Sequence, residues 1–267
     1  MSLNLGHINL KNRNTLITGA SGHLGKLICN TMAELGSNLI MIDKSGIELD
    51  SIAKDLQCKW KIEVQTYSCD LELDLDRKRM IDVILKNNDE LYCLINNAAF
   101  VGTSEITGWN EQFDKQSTTT FDRSLHLNLT SVFELSQSLS IIMGKFKGSN
   151  IINIGSIYGF LAPDLNLYKN TLINNPAGYS VSKAALIHFT KWLAVILAPK
   201  IRVNAISPGG IFRNQDPIFV QKYIDKTPLG RMAIEDDITG ALIYLSTCLS
   251  NYVTGHNLVI DGGYCLA

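Results

Sequence analysis

Neither sign of charge is in excess in this chain. It has 24 Lys and Arg against 25 Asp and Glu over 267 residues, for a formal net charge of -1. A broad basic footprint for nucleic acid is therefore excluded, and no nucleic-acid partner is expected. Cysteine is scarce for the length: Cys29, Cys58, Cys69, Cys93, Cys248 and Cys265 include no C-x-x-C pair. That argues against a disulfide-built scaffold and against zinc-ligand spacing, so no metal is expected. These residues fall mostly in apolar stretches and read as buried, reduced thiols. No apolar run approaches the roughly 20 residues that cross a bilayer. The opening segment MSLNLGHINLKNRN has no apolar core of the kind a secretory leader needs. The expectation is a soluble cytoplasmic protein without a membrane partner. Repeats, low-complexity tracts and linkers are also missing, so residues 1–267 read as a single domain.

What is present is a hydrophobic share of 46% arranged in alternation. The short apolar runs TLIT, NLIMID, KIEVQTY, LYCLIN, NIINIG, IRVNAIS and HNLVID read as strands. Between them lie segments of helical spacing, at about 22–35, 44–57, 74–87, 121–147, 178–198 and 235–247. Near-continuous apolar strands separated by helices predict an α/β fold, a doubly wound parallel sheet of about seven strands with helices on both faces. Two less regular stretches, about 157–177 and 208–228, each follow a strand. They should lie at the carboxyl ends of the strands, where such sheets bind ligands, and are read as substrate loops.

The first strand runs into TGASGHLG, residues 18–25. A strand, a glycine-rich turn and a helix form the setting for a dinucleotide pyrophosphate, which the turn's N–H groups and the helix N-terminus attract. The G-x-G-x-x-G fingerprint is missing; the glycines stand at Gly19, Gly22 and Gly25, with Ser21, His23 and Leu24 between them. Asp43 ends the second strand. A carboxylate there accepts both ribose hydroxyls of an adenosine and repels a 2′-phosphate, which points to NAD(H) over NADP(H). Lys44 follows and softens that repulsion. The alternative is that Asp43 only caps the next segment.

Taken in order along the chain, the motifs resemble those of the short-chain dehydrogenase/reductase family, its shorter branch with a Y-x-x-x-K active site. TGASGHLG resembles the cofactor turn. CDL at 69–71 resembles the adenine contact, carried by Asp70 and Leu71. NNAA at 96–99 resembles the family's NNAG, giving Asn96 and Ala98 as cofactor contacts. Asn128 in LHLNLTSVF, Ser156 in NIGS, and Tyr179 and Lys183 in YSVSK match the catalytic set, Tyr179 and Lys183 also touching the cofactor. SPGG at 207–210 resembles the nicotinamide-side loop, with Pro208, Gly209 and Ile211, and DGG at 261–263 the C-terminal signature. The resemblance implies a Rossmann-fold oxidoreductase that interconverts a secondary alcohol and a ketone. It also implies a homodimer or homotetramer assembled through the helices at 121–147 and 178–198, and an Asn128 that helps carry a water relay to the lysine. The residues support the assignment independently. Positions 179 and 183 share one helix face. An ammonium beside the phenol should lower its pKa from about 10 and make it a usable acid and base. Ser156 can hold the substrate oxygen.

Three departures qualify the pattern. His23 takes the place of a glycine, either adding a donor near a phosphate or standing exposed without a role. Arg213 stands where the family often has threonine. It meets a phosphate of the cofactor or the substrate, or is a solvated loop arginine. Ser156 and Tyr179 are 23 residues apart (179 − 156), and the intervening segment is rich in Asn and Tyr. With Ser156, Tyr158 and Arg213 as substrate contacts, such a lining suits a small, hydroxyl-rich ligand. The insert resembles a bacterial branch linked to flagellin and surface-sugar modification, which implies a sugar or activated sugar. The competing functions are a 3-oxoacyl carrier-protein reductase, an epimerase or dehydratase acting on a nucleotide sugar, and a catalytically inactive nucleotide-binding regulator. His126, His188, Phe189 and Trp192 read as packing. Tyr168 and Ser182 are rejected as alternatives to Tyr179 and Ser156: residue 172 is Leu rather than Lys, and Ser182 lies inside a helix.

Overall fold

The computed structural model describes residues 8–100, 106–171 and 173–266. The part of the N-terminal reading that rests on residues 1–7, and position 172, lie outside them. Seven strands form one sheet: β1 (Asn14–Thr18), β2 (Asn38–Asp43), β3 (Val64–Ser68), β4 (Cys93–Asn96), β5 (Ser149–Ile154), β6 (Ile201–Pro208) and β7 (Asn257–Ile260). Their order is β3-β2-β1-β4-β5-β6-β7, and every pairing is parallel. Strands β4, β5 and β6 are buried along their whole length, because helices cover both faces.

The helices are α1 (His23–Glu34), α2 (Gly46–Trp60), α3 (Asp74–Asn87), α4 (Thr118–Leu125), α5 (Ser131–Met143), α6 (Leu165–Tyr168), α7 (Ala177–Leu197), α8 (Pro217–Lys226) and α9 (Thr239–Ser246). One face of the sheet packs on Ile28, Met32, Leu49, Leu56, Leu242 and Leu245 from α1, α2 and α9. The other packs on Ile81, Ile84, Leu135, Leu139 and Leu193 from α3, α5 and α7. A smaller cluster, with Ile157, Leu167, Phe219 and Tyr223, joins the 157–177 stretch to α8.

The structure amends several expectations. The helix read over 121–147 begins at Thr118, where the Ser117 hydroxyl caps it, and is interrupted by a π-turn at His126–Thr130. The helix read over 235–247 opens with a 3-10 turn, Glu235–Ile238. Both irregular stretches contain helices of their own, α6 and α8. The segment after Asp43 is capped by Ser45, which accepts from the Glu48 N–H, so Asp43 is not the cap. Cys29, Cys69 and Cys93 are buried as expected, but Cys58 and Cys248 are exposed; none of the six is in a disulfide. Helix α7 is 21 residues long, and its most apolar window has a mean hydropathy of 1.3, so by length and composition it could cross a membrane. That overturns the expectation of no such stretch. Leu186, Ile187, Leu193 and Ala194 are buried in the protein, which makes α7 a core helix of this fold.

Close packing at the start of α1 gives a direct test. A Cβ on Gly25 would stand 1.9 Å from the Gly19 carbonyl oxygen and 2.9 Å from Ala20 backbone, whereas one on Gly240 meets nothing within 4 Å. Gly25→Ala is expected to destabilise the fold by about 1–3 kcal/mol in urea unfolding. Gly240→Ala, in the exposed first turn of α9, should stabilise it by roughly 0.5 kcal/mol. Equal effects at the two positions would refute this account of the turn.

Candidate active site

The strand order reverses between β1 and β4, so the chain leaves their ends in opposite directions and a crevice opens there. The Thr18 hydroxyl accepts from the N–H groups of Asn97 (3.1 Å) and Ala98 (3.0 Å), and Asn97 Nδ2 donates to the carbonyls of Thr18 and Gly19. Gly19 has φ +65°, and a Cβ on it would lie 2.9 Å from Ala98 Cα. Gly22 caps α1 without a side-chain acceptor, and no acidic residue occupies the first turn. The orphan amides of that turn therefore face the crevice. The resulting cleft, about 680 Å³, runs from Gly19, Gly22, His23, Leu24 and Gly25 past Asp43 to Ser156, Tyr179 and Arg213. A cradle that side chains would fill, an uncapped helix start and a carboxylate at the far wall fit a dinucleotide.

At the Asp43 end, Oδ2 accepts from the Ser21 N–H (2.9 Å) and hydroxyl (2.8 Å), and Oδ1 from the Lys44 N–H (2.7 Å). Ser21 thus orients Asp43, and the cleft wall runs past it through its glycine neighbours. Leu71 lines the cleft, while the Asp70 carboxylate is engaged by Lys44 Nζ and the Glu72 N–H. Asn96 corrects the sequence reading. It is buried, donates to Asn153 Oδ1 at 2.8 Å, and leaves its neighbour Asn97 to face the cleft beside Ala98. In NNAA the two asparagines are indistinguishable by type; only the end of β4 at Asn96 tells them apart, Asn96 lying in the buried strand and Asn97 just beyond it. Glu72, Arg123, Phe100, Ile106 and Gln215 also line the cleft. They had no motif to announce them.

At the other end, Ser156 follows β5 and its hydroxyl accepts from the Tyr158 N–H at 3.2 Å. Tyr179 and Lys183 project from one face of α7. Lys183 is 3% exposed and donates from Nζ to the Ile154 carbonyl at 2.6 Å. Burial pulls its ammonium from 10.5 to about 8. Tyr179 borders the cleft, and burial pushes its phenol up, opposed by the Ser156 hydrogen bond and the Arg213 charge. The expected lowering of Tyr179 by Lys183 is not what the structure has. The ammonium is directed to the Ile154 carbonyl and lies 5.8 Å from the centre of the tyrosine ring.

Asn128 lies in the π-turn. Its Oδ1 accepts from the Phe100 N–H (2.6 Å), and its Nδ2 donates to Ser182 Oγ (2.9 Å), which donates to the Tyr179 carbonyl (2.8 Å). Both ends of the amide are engaged, and through Ser182 the side chain braces α7. Ser182, set aside from the sequence, is part of that brace. Tyr158 shares its hydroxyl with Tyr168 at 2.6 Å, and burial keeps it a neutral phenol. Pro208, Gly209, Ile211 and Arg213 also line the cleft; Arg213 Nε donates to Glu235 at 3.0 Å. Among the described residues, the 157–177 stretch contributes only Ile157 and Tyr158 to the cleft wall. Leu167 and its neighbours pack on α8, while Asn174, Asn175 and Ala177 bond Asn110 and Gln116, which amends the reading of the stretch as a pocket lining. No group of metal-ligating side chains occurs among the described residues.

Known proteins share this arrangement. A family model described as Enoyl-(Acyl carrier protein) reductase matches residues 19–265. Post-translational flagellin modification protein A of Campylobacter coli is 32% identical over 261 residues, covering 96% of this chain and 100% of that protein. The 3-oxoacyl-[acyl-carrier-protein] reductase of Aquifex aeolicus is 28% identical, covering 96% and 98%. The crystal structure of a short chain dehydrogenase from Leptospira borgpetersenii with bound NAD+ superposes with a TM-score of 0.83 at 35% identity, covering 99% of this chain and 97% of that one.

The buried ammonium predicts a pH dependence. Lys183 binds its proton less tightly folded than unfolded, so the wild type gains stability as pH rises from about 8 to 10.5. Against Lys183→Met, the wild type should gain about 3 kcal/mol across that window in denaturant titrations. A difference that stays flat with pH would show that Lys183 is not buried as a penalised cation.

Proposed function

This chain belongs to the short-chain dehydrogenase/reductase family and acts as an oxidoreductase on CH–OH groups, and we propose that its cofactor is NAD(H) and its substrate a small polar molecule, a sugar or activated sugar. The observation that carries the cofactor reading is Asp43, whose carboxylate Ser21 holds in place at one end of the cleft. Two vicinal ribose hydroxyls can donate to such a group, whereas a 2′-phosphate meets a second anion. The likeness to the flagellin modification protein and the polar rim around Tyr158 and Arg213 support a sugar derivative. The exposed apolar side chains Val181, Trp192, Val195 and Ile196 on α7 support a homodimer or homotetramer. A cytoplasmic location completes the reading.

When bound, the nicotinamide supplies or accepts the hydride. The chain's own groups do the rest. Tyr179 Oη holds the proton exchanged with the substrate oxygen, and Ser156 Oγ donates to that same oxygen and orients it. Lys183, fixed to Ile154, places positive charge behind the tyrosine, and Arg213 adds charge from the rim. Gly19, Gly22 and Gly25 admit the pyrophosphate. Asn128 holds the helix that carries Tyr179 in place. We assign Arg213 to a substrate carboxylate or phosphate. Arg213 lines the cleft, and its guanidinium is tied to Glu235 through Nε, which leaves its outer nitrogens to meet a ligand.

A second reading, a 3-oxoacyl carrier-protein reductase, draws on the family model's description and the Aquifex relative. It calls for NADPH and a 3-oxoacyl thioester. Titration with each cofactor, followed by quenching of the three tryptophans, separates the two. NADH should bind at least about 10-fold more tightly than NADPH, a gap of roughly 1.4 kcal/mol. Tighter NADPH binding installs the reductase reading, and cofactor binding without turnover on any carbonyl installs an inactive regulator. On the substrate that turns over, Arg213→Ala should cost about 10-fold or more in kcat/KM; full activity would remove Arg213 from the site.

A further inference from the structure

The ribose end of the cleft carries a charge arrangement that the chemistry at Tyr179 does not use. Lys44 directly follows Asp43 and stands on the same wall. An ammonium turned toward Asp43 would neutralise it and offer a partner to a ribose 2′-phosphate. Lys44 Nζ instead lies 3.1 Å from Asp70 Oδ1 and 3.2 Å from Glu72 Oε1. Glu72 is the fixed member of this group. Arg123 grips it from the other side, Nε to Oε2 at 2.8 Å and Nη2 to Oε1 at 3.3 Å. The Glu72 side chain is 14% exposed, against 53% for Lys44 and 43% for Arg123. The anion is packed in place and the cations come to it. Asp70 closes the arrangement by accepting the Glu72 N–H at 2.9 Å. With Asp43 included, three carboxylates face two cations, so the wall keeps a negative surplus.

Partial burial works against the Lys44 charge, but the bonds to Asp70 and Glu72 hold its pKa above the ordinary value. Burial likewise opposes the Glu72 charge, while Arg123 and Lys44 hold its carboxyl below the usual range. Both are therefore ionised at neutral pH, and the contact is an ion pair.

We propose that Glu72, anchored by Arg123, is a specificity-determining residue that draws Lys44 away from Asp43 and so closes the ribose end of the cleft to a 2′-phosphate. This rests on the NAD reading above and adds the device that enforces it. Asp43 supplies the discriminating anion, and Glu72 withholds the cation that would cancel it.

The test is a double-mutant cycle on the full-length protein, with NADH and NADPH as probes and tryptophan quenching as readout. Glu72→Gln keeps the side chain's shape, and Glu72→Ala serves as a second variant with the same expectation. In either, the ratio of the NADPH Kd to the NADH Kd should fall by about 5–10-fold as Lys44 keeps only Asp70 as a partner and can turn to a 2′-phosphate. In a Lys44→Ala background the same Glu72 substitution should move the ratio by less than about twofold. A wild type that prefers NADH, with a ratio that Glu72 substitutions leave unmoved, overturns the latch and leaves the NAD reading standing. An equal fall with and without Lys44 also overturns it, because Glu72 would then act on the phosphate directly or through Arg123. A wild type that prefers NADPH overturns the NAD reading and the latch with it.

Discussion

The site depends on how the ends of β1 and β4 are held where the sheet reverses its order. One hydroxyl, Thr18 Oγ1, accepts two N–H groups from the far side, and one amide, Asn97 Nδ2, donates back to two carbonyls. These bonds cross the gap between strands whose following helices go to opposite faces. They press Gly19 against Ala98 at a distance no side chain tolerates. The turn is thereby forced into the shape that leaves the first amides of α1 directed at the crevice. A parallel sheet has one such reversal, so the cofactor end of the cleft has one place to be.

The chemical end is positioned by a different means. Helix α7 is drawn close to its neighbours at two glycines. A Cβ on Gly178 would stand 2.5 Å from Ser124 Oγ, and one on Gly159 would stand 2.9 Å from Lys183 backbone. Between these contacts runs the chain from the Phe100 N–H through Asn128 and Ser182 to the Tyr179 carbonyl. The π-turn at His126–Thr130 is what lets Asn128 enter this chain. An extra residue in the turn displaces the helix ladder locally and rotates the amide to where it can reach both partners. Phe100 follows β4, so the same strand end that defines the crevice also fixes the tyrosine. The two ends of the cleft share one mechanical reference.

The sheet was legible because strands of a covered parallel sheet are rich in apolar residues, most clearly in β2 and β4, while the edge strand β3, VQTYS, is only half-buried. The catalytic pair was legible because a four-residue spacing on a helix defines a face. Asn97 was not legible, because NNAA offers two identical side chains and only the point at which β4 ends, after Asn96, decides which is buried. The π-turn was hidden for a related reason. Apolar spacing averages over a long segment and registers α4 and α5 as one helix, while a single inserted residue leaves the average intact. The partners of Asn128 and Lys183 were not legible because a motif fixes a residue's position and not its bonds. In this chain the Asn128 amide is occupied at both ends and the Lys183 ammonium is turned to Ile154. The 157–177 stretch was misplaced in part because its polar composition resembles a pocket lining, while Leu167 and its neighbours bind it to α8. Glu72 and Arg123 belong to no motif, and only the folded arrangement brings them to Lys44.

Burial moves the two central groups in opposite directions, the Tyr179 phenol up and the Lys183 ammonium down. Each shift taken alone makes ionisation costly. At Tyr179 the Ser156 hydroxyl opposes that cost, while the Lys183 ammonium is engaged by the Ile154 carbonyl. Arg213 biases the same balance from the rim, since its charge already pulls the tyrosine down. The opposite end of the cleft has the reverse polarity, with Asp43, Asp70 and Glu72 outnumbering Lys44 and Arg123. A ligand with hydroxyls at one end and a developing oxyanion at the other is favoured in one orientation and opposed in the other. The field of the cleft and the shape of its glycine turn therefore select the same alignment.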